Sequence, residues 1–441
     1  MPSTPALEGI LAGLNPAQRE AVLHSEGPLL VLAGAGSGKT RVIAHRVAYL
    51  VARGLDPRRI LAVTFTNKAA GEMAARVEAL LAGWAVRAPL VATFHATCVR
   101  ILRAEIHHLG YRRGFVIYDE ADRLSLIKEL IRTEGLDERL LTAPAVVARI
   151  SRAKNQLQGA SDLDRAAQTF RDEQVARLFA RYETRLQAAG ALDFDDLLAL
   201  TVRLWTSHAE VLRYYRGLWR HVLVDEYQDT NLAQYRLLRL LTDEHRNLCV
   251  VGDPDQSIYR FRGAELRNIL DFERDFPDCR VVRLEQNYRS TQQILEIAGT
   301  VIAHNQARTD KALWTENERG APARVFRAAD EGEEAGWVAR MVAGLAGEAV
   351  RLDEIAVFFR TNAQSRVLED ALRALGLPYR LVGSVRFYER KEVMDTLAYL
   401  RLAVNPSDEI AFLRAIGSPP RGIGKTTIGR LGDAAARAGA S

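Results

Sequence analysis

Short, wholly apolar runs recur along the chain, each closed by glycine, threonine or acidic residues, and amphipathic stretches with a helical repeat follow them. Leu29 to Leu32, Ile60 to Thr66, Val91 to His95, His221 to Glu226, Asn247 to Asp253, Val281 to Leu284 and Ile355 to Arg360 read as strands. Runs that are apolar on both faces, alternating with helices such as Thr40 onward (Val42, Ile43, Val47, Leu50) and Lys68 to Leu81, predict a parallel sheet covered on both sides. From about Tyr118 to Leu218 the pattern becomes helix after helix, which predicts an all-helical insertion. After Gly383 the pattern is helical again. The fold class expected is α/β.

Composition narrows the class without fixing the function. The 441 residues exceed what one core serves, so two to four domains are expected. Hydrophobic residues make up 48% and charged residues 26%, with no apolar run long enough to span a bilayer, and no signal peptide is visible. A cytoplasmic protein without a membrane partner is the expectation. Cys98, Cys249 and Cys279 are too scattered for a zinc site or a disulfide framework. A net charge of +5 permits nucleic-acid binding but does not require it.

Position-specific chemistry is more informative. Ala33, Gly34, Ala35, Gly36, Ser37, Gly38, Lys39 and Thr40 follow a strand and open a helix. In a phosphate cradle of this kind small residues let backbone N–H groups surround phosphates, Lys39 reaches the β and γ oxygens, and the Thr40 hydroxyl ligates Mg²⁺. Ala33 stands where the strict pattern has glycine. Asp225 and Glu226 end an apolar strand, where open α/β sheets bind ligands. Asp225 would hold Mg²⁺ and Glu226 would activate water. Gln256 is placed to sense a γ-phosphate, and Tyr259 and Phe261 to face bases. Tyr288 can stack on adenine beside Arg289, which can neutralise transition-state charge. Two partial motifs fail: Gly424, Lys425 and Thr426 lack a preceding strand, and Ala70 stands where a guanine-reading aspartate belongs. ATP is therefore the nucleotide expected.

Taken in order, Gln18, the loop Ala33 to Thr40, Thr64 to Ala70, Thr93 to His95, Asp225 to Asp229, Gly252 to Gln256 and Gln286 to Arg289 resemble the UvrD/Rep/PcrA group of superfamily-one DNA helicases over essentially the whole chain. The resemblance implies two RecA-like parallel-sheet domains of the P-loop NTPase class, each with a helical insertion. The implied boundaries are 1–93 with 220–284 for the first domain, 94–219 for its insertion, 285–382 for the first part of the second domain and 383–441 for the start of its insertion. It implies that Gln18 reads adenine while Arg41 and Tyr288 sandwich the ring, and that Gln256 and Arg289 contact the γ-phosphate. Phe65, Asn67, Thr93, His95, Phe194, Tyr259, Phe261, Arg262, Arg360 and Asn362 match positions that contact single-stranded DNA. Gly422 and Gly424 resemble a helix-hairpin-helix turn on duplex phosphate, or equally a plain connection between helices. The implied activity is ATP-dependent 3′–5′ unwinding in repair or replication, with single-strand/duplex junctions and repair proteins as partners and the oligomeric state open. The family's last motifs do not occur before Ser441, so a C-terminally truncated chain is expected. A DNA- and nucleotide-binding module without motor activity is the alternative.

Overall fold

Eight strands form among the described residues of the computed structural model, which are 4–84, 88–305, 311–382 and 391–438. They are β1 (Leu29–Ala33), β2 (Ile60–Thr64), β3 (Leu90–Thr93), β4 (Val116–Tyr118), β5 (Ala191–Asp193), β6 (His221–Val224), β7 (Leu248–Gly252) and β8 (Arg280–Leu284). Six of them make one sheet in the order β3-β2-β6-β7-β1-β8, with every neighbouring pair parallel. Alternate residues feed two cores. Leu30, Leu32, Leu61, Val63, Val222, Val224, Leu248 and Val250 face one layer of helices, while Leu29, Val31, Ala33, Ile60, Ala62, Leu223, Cys249 and Val251 face the other. A fully buried Leu, Ile or Val contributes roughly 1.5–3 kcal/mol. A register slip would therefore move more free energy than the ~1 kcal/mol spanned by β-propensity.

Parallel strands need crossovers, so every C-terminal strand end opens on the same edge of the sheet. There β3 stops at Thr93 because the Thr93 hydroxyl accepts from the Ala96 N–H and caps the helix Phe94–Glu105. The expected strand Val91 to His95 is thus shorter, with Phe94 and His95 already helical.

The segment expected to be all helical contains β4 and β5, which form a short parallel pair with Val116 opposite Ala191. Its helices enclose a third core around Ile127, Leu130, Val146, Leu178, Phe179 and Tyr182. The strands were missed because three residues give no readable period. Beside them lies a buried ion cluster. Lys154 Nζ is 2.9 Å from Asp193 Oδ2 and 2.6 Å from Asp196 Oδ1, and the Tyr182 hydroxyl donates to Asp193 Oδ2 at 3.0 Å. Asp193 and Asp196 also form the capping box of the helix Phe194–Ser207. Burial opposes the charge on Asp193, yet Lys154 and then Arg123 hold its carboxyl down at about 2. Burial and the neighbouring Asp193 push Asp196 up to about 7.

Residues Ala321–Tyr399 form a second compact unit, and Leu400 onward belongs with the first. In the second unit the helices Glu331–Gly347 and Asn362–Ala374 pack together, and Phe326 stacks on Trp337 at 4.8 Å. The expected strand Ile355 to Arg360 has no ladder partner among the described residues, and Phe358 is exposed. Apolar alternation needs a neighbouring strand before it becomes a sheet.

Lys154→Ala leaves two buried carboxylates without their ammonium partner and is expected to cost about 3–5 kcal/mol. Urea unfolding of this variant beside exposed Lys128→Ala checks this, the latter staying within about 0.5 kcal/mol of the parent. His221 and His245 are held down at about 4, first by burial and then by neighbouring cations, Arg46 for His221 and Arg220 for His245. Nδ1 of His245 accepts from the Asn247 N–H, consistent with a neutral ring. Because the folded values lie below the ordinary 6.5, their stabilising contribution is complete above pH 6.5 and is lost as pH falls toward 4. His245→Gln should flatten that decline in the urea midpoint.

Candidate nucleotide and nucleic-acid site

The loop after β1 is shaped by its backbone. Gly36 and Gly38 adopt φ of +66° and +87°, a region that side-chain-bearing residues rarely enter. A Cβ on Gly36 would lie 2.5 Å from Asn287 Nδ2. Gly38 precedes the helix Lys39–Ala52, whose first-turn N–H groups have no side-chain cap. Uncapped N–H groups at a helix start suit an anion. Within the loop the Ser37 hydroxyl donates to Gly34 O at 2.7 Å, and Asn287 Nδ2 donates to Ala35 O at 2.6 Å.

The loop meets the end of β6 directly. Lys39 Nζ lies 3.1 Å from Glu226 Oε2, and the Thr40 hydroxyl donates to Asp225 Oδ2 at 3.3 Å. Thr40 and Asp225 form an oxygen-donor pair of the kind a hard divalent cation takes, so the residues fit Mg²⁺. Burial, then the charge of Glu226, pushes the Asp225 carboxyl up to about 6. Glu226 has φ +52°, uncommon for a side-chain-bearing residue, and turns the chain sharply after the strand. Gln228 links the two acidic strand ends: its Nε2 donates to Glu226 Oε2 at 2.9 Å, and its Oε1 accepts from the Asp253 N–H at 2.9 Å. Gln256 donates to Asp253, which also pairs with Lys311.

On the other side of the loop, buried Gln18 donates from Nε2 to Ser37 O at 2.9 Å. Asn15 caps the helix Pro16–Leu23 and donates to the Tyr288 hydroxyl at 2.8 Å. The Tyr288 N–H donates to Gly36 O at 3.0 Å, and the Arg289 N–H to Asn287 Oδ1 at 2.8 Å. Arg41 reaches Gly13, where a Cβ would meet its Nη2 at 2.9 Å. The structure thus gathers Gln18, Ala33 to Arg41, Asp225, Glu226, Tyr288 and Arg289 around one loop. It adds Asn15, Gln228, Asn287 and Lys311, to which sequence reasoning gave no role at the site. Asn287 and Gln228 lay inside motifs already noted, but side-chain-to-backbone ties between distant segments leave no periodic signal.

A cavity of about 1120 Å³ opens beside this site, lined among others by Phe65, His95, Tyr259, Phe261, Gln256 and Glu226. Tyr259 and Phe261 have ring centroids 6.1 Å apart, and Phe261 is 77% exposed. Phe194, half exposed at the start of its helix, meets His95 edge-on at 5.5 Å. Burial lowers the His95 pKa, favouring the neutral ring. Asn67 is exposed at the start of the helix Asn67–Leu80, whereas Thr93 is buried with its hydroxyl engaged in capping. Arg262 lies in the turn Arg260–Arg262, with its side chain outside the described residues. Arg360 and Asn362 are exposed in the second unit. Gly422, at φ +72°, and Gly424 occupy the loop between the helices Glu409–Gly417 and Lys425–Ala438.

Comparison with known proteins finds two successive family matches along the chain. Residues 14–277 match the UvrD/REP helicase N-terminal domain, and residues 282–440 match the UvrD-like helicase C-terminal domain. The ATP-dependent DNA helicase PcrA of Bacillus subtilis is 47% identical over 434 residues, covering 98% of this chain and 59% of the relative. PcrA helicases of Staphylococcus epidermidis and Staphylococcus aureus are 44% and 43% identical over 426 residues, covering 96% of this chain and 58% of each relative. The chain spans a little under three fifths of the length of these relatives. No helix among the described residues is long and apolar enough to cross a membrane. With a nucleotide-type loop on a parallel sheet, a paired acidic strand end and both domain families matched in order, the chain belongs to the UvrD/Rep family of superfamily-one DNA helicases.

Proposed function

We propose that this chain supplies the ATP-hydrolysing and single-strand-gripping parts of an ATP-dependent DNA helicase, acting 3′ to 5′ at single-strand/duplex junctions in repair or replication. The observation that carries the reading is that Glu226 and Gln256 line the same cavity as Phe65, His95, Tyr259 and Phe261, while Glu226 also pairs with Lys39. Hydrolytic and base-facing side chains therefore share one wall. The polarity, the repair role and the junction preference rest on the family resemblance.

The residues divide the work as follows. Lys39 exchanges Glu226 for the β and γ phosphates, so that the freed carboxylate orients and deprotonates the attacking water. Thr40 and Asp225 would hold Mg²⁺, which when bound would supply positive charge against the phosphates. Gln18 hydrogen-bonds adenine, and Tyr288 and Arg41 hold its faces. Arg289 and Gln256 contact the γ-phosphate. The bond from Gln256 to Asp253 links that contact to the loop that leads to Tyr259 and Phe261. Loss of the γ-phosphate then loosens the rings that stack on bases, and repeated cycles move the strand.

Lys39→Ala is expected to abolish nucleotide binding. Glu226→Gln should still bind ATP while hydrolysing it about 10²–10⁴-fold more slowly. Fluorescent-nucleotide binding and phosphate release in the presence of single-stranded DNA separate the two, and normal turnover by both variants would reject this site. Phe261→Ala removes a stack worth about 1–3 kcal/mol, roughly 5- to 150-fold in single-stranded DNA affinity. Fluorescence anisotropy on an oligonucleotide reads the change, with nucleotide affinity left as in the parent.

A further inference from the structure

Two separate stretches of chain bring three histidines and two glutamates to one surface, away from the nucleotide loop and the aromatic cavity. Glu105 ends the helix Phe94–Glu105, and His107 and His108 lie in the turn Ile106–Leu109 that follows. His208 and Glu210 sit about a hundred residues later, where the helix Phe194–Ser207 gives way to Ala209–Leu218. The two sites meet because those first helices pack along each other in the core, through Cys98, Ile101, Leu102, Leu197 and Leu204. The ring centroids of His108 and His208 are 5.1 Å apart.

We propose that His108, His208 and Glu210 form a binding site for a divalent transition metal of the Zn²⁺ class, which ties the turn at Ile106–Leu109 to the helix junction at His208. The side-chain donor atoms of these three residues all lie within 4.8 Å of one another. His208 Nδ1 is 3.5 Å from Glu210 Oε1. With metal–ligand bonds of about 2.0–2.2 Å, two ligands of a tetrahedral ion stand about 3.4 Å apart. The pair is therefore already spaced as ligands, and His108, whose donor lies within 4.8 Å of both, needs to close in by about 1.4 Å at most to join it. Glu105 Oε2, 3.6 Å from His108 Nε2, offers a further carboxylate at the edge of the set. Two imidazoles and a carboxylate favour Zn²⁺, Ni²⁺ or Cu²⁺ over Mg²⁺ or Ca²⁺, which take oxygen ligands. An open fourth position is filled by water.

Neighbouring groups decide which histidine stays out. Arg113 Nε donates to His107 Nδ1 at 3.2 Å and its Nη2 lies 3.3 Å from Nε2, so a guanidinium already occupies the edge of the His107 ring where a metal cation would have to approach. His107 packs against His108 with centroids 4.2 Å apart and the rings tilted by 36°, and supports that ring without joining the set. The exposed position of His108 and Glu210 permits exchange with solvent metal. The ion acts as a removable cross-link rather than a reactive centre.

The test uses the full chain without a histidine tag, stripped with a chelator and titrated with Zn²⁺ in a Mg²⁺-free buffer. One equivalent should bind saturably by calorimetry. The thermal midpoint should rise by about 3 °C at a hundredfold excess over Kd. His108→Ala and His208→Ala should each lose both effects. His304→Ala, an exposed histidine elsewhere, should keep them. Co²⁺ in place of Zn²⁺ should give visible absorption bands in the parent and none in the His108→Ala/His208→Ala double variant. If the double variant binds Zn²⁺ as tightly as the parent, or the parent shows no saturable binding, the site does not exist.

Discussion

Everything at the candidate site depends on the burial of both faces of one parallel sheet. A strand buried on both sides must be apolar throughout, and a parallel neighbour must be reached by a crossover. Polar side chains are thereby largely excluded from the central strands and collected where they end, whereas the edge strand β8 carries exposed Arg280 and Arg283. β1 ends in the glycine loop, β6 in Asp225 and Glu226, β7 in the turn carrying Asp253 and Gln256, and β8 in Gln286 to Arg289. The strand order sets these ends side by side although they are drawn from more than two hundred and fifty residues of sequence.

That convergence places like charges together, and the site manages them by pairing. Asp225 and Glu226 are adjacent on the chain, and burial with mutual repulsion raises the Asp225 carboxyl. Lys39 and the Thr40 hydroxyl meet the two carboxylates from across the crevice. Asp253 and Asp255 are balanced in the same way by Lys311. On the proposed function, the Lys39–Glu226 and Thr40–Asp225 contacts are the ones a nucleotide and its cation would replace, because phosphate oxygens and a divalent ion offer the same charges in the reverse order. The buried Lys154 cluster has no such exchange partner and serves a different end. It fixes the capped start of the helix that carries Phe194 beside His95.

The helix Phe94–Glu105 and the helix Phe194–Ser207 carry base-facing candidates, His95 and Phe194, at their starts, and at their far ends they bring His108 and His208 together. The two helices pack against each other along the shared core, so both pairs of ends sit on one helix–helix interface. A metal across His108 and His208 would stiffen that interface without touching nucleotide.

By itself the sequence determined the sheet's strands to within a residue or two, the glycine loop between strand and helix, the acidic strand end and the family. These are local signals: an apolar run bounded by turn residues, and motifs whose residues are contiguous. It did not reveal β4 and β5, whose three residues each are too short for a period. Its strand at Ile355 to Arg360 has no ladder partner among the described residues, which alternation alone cannot supply. Nor could it reach the bonds from Asn15 to Tyr288, Asn287 to Ala35 and Gln228 to Glu226 and Asp253, or the meeting of His108 with His208. Those were decided by tertiary structure, because side chains far apart in sequence become neighbours only through the packing of the elements that carry them.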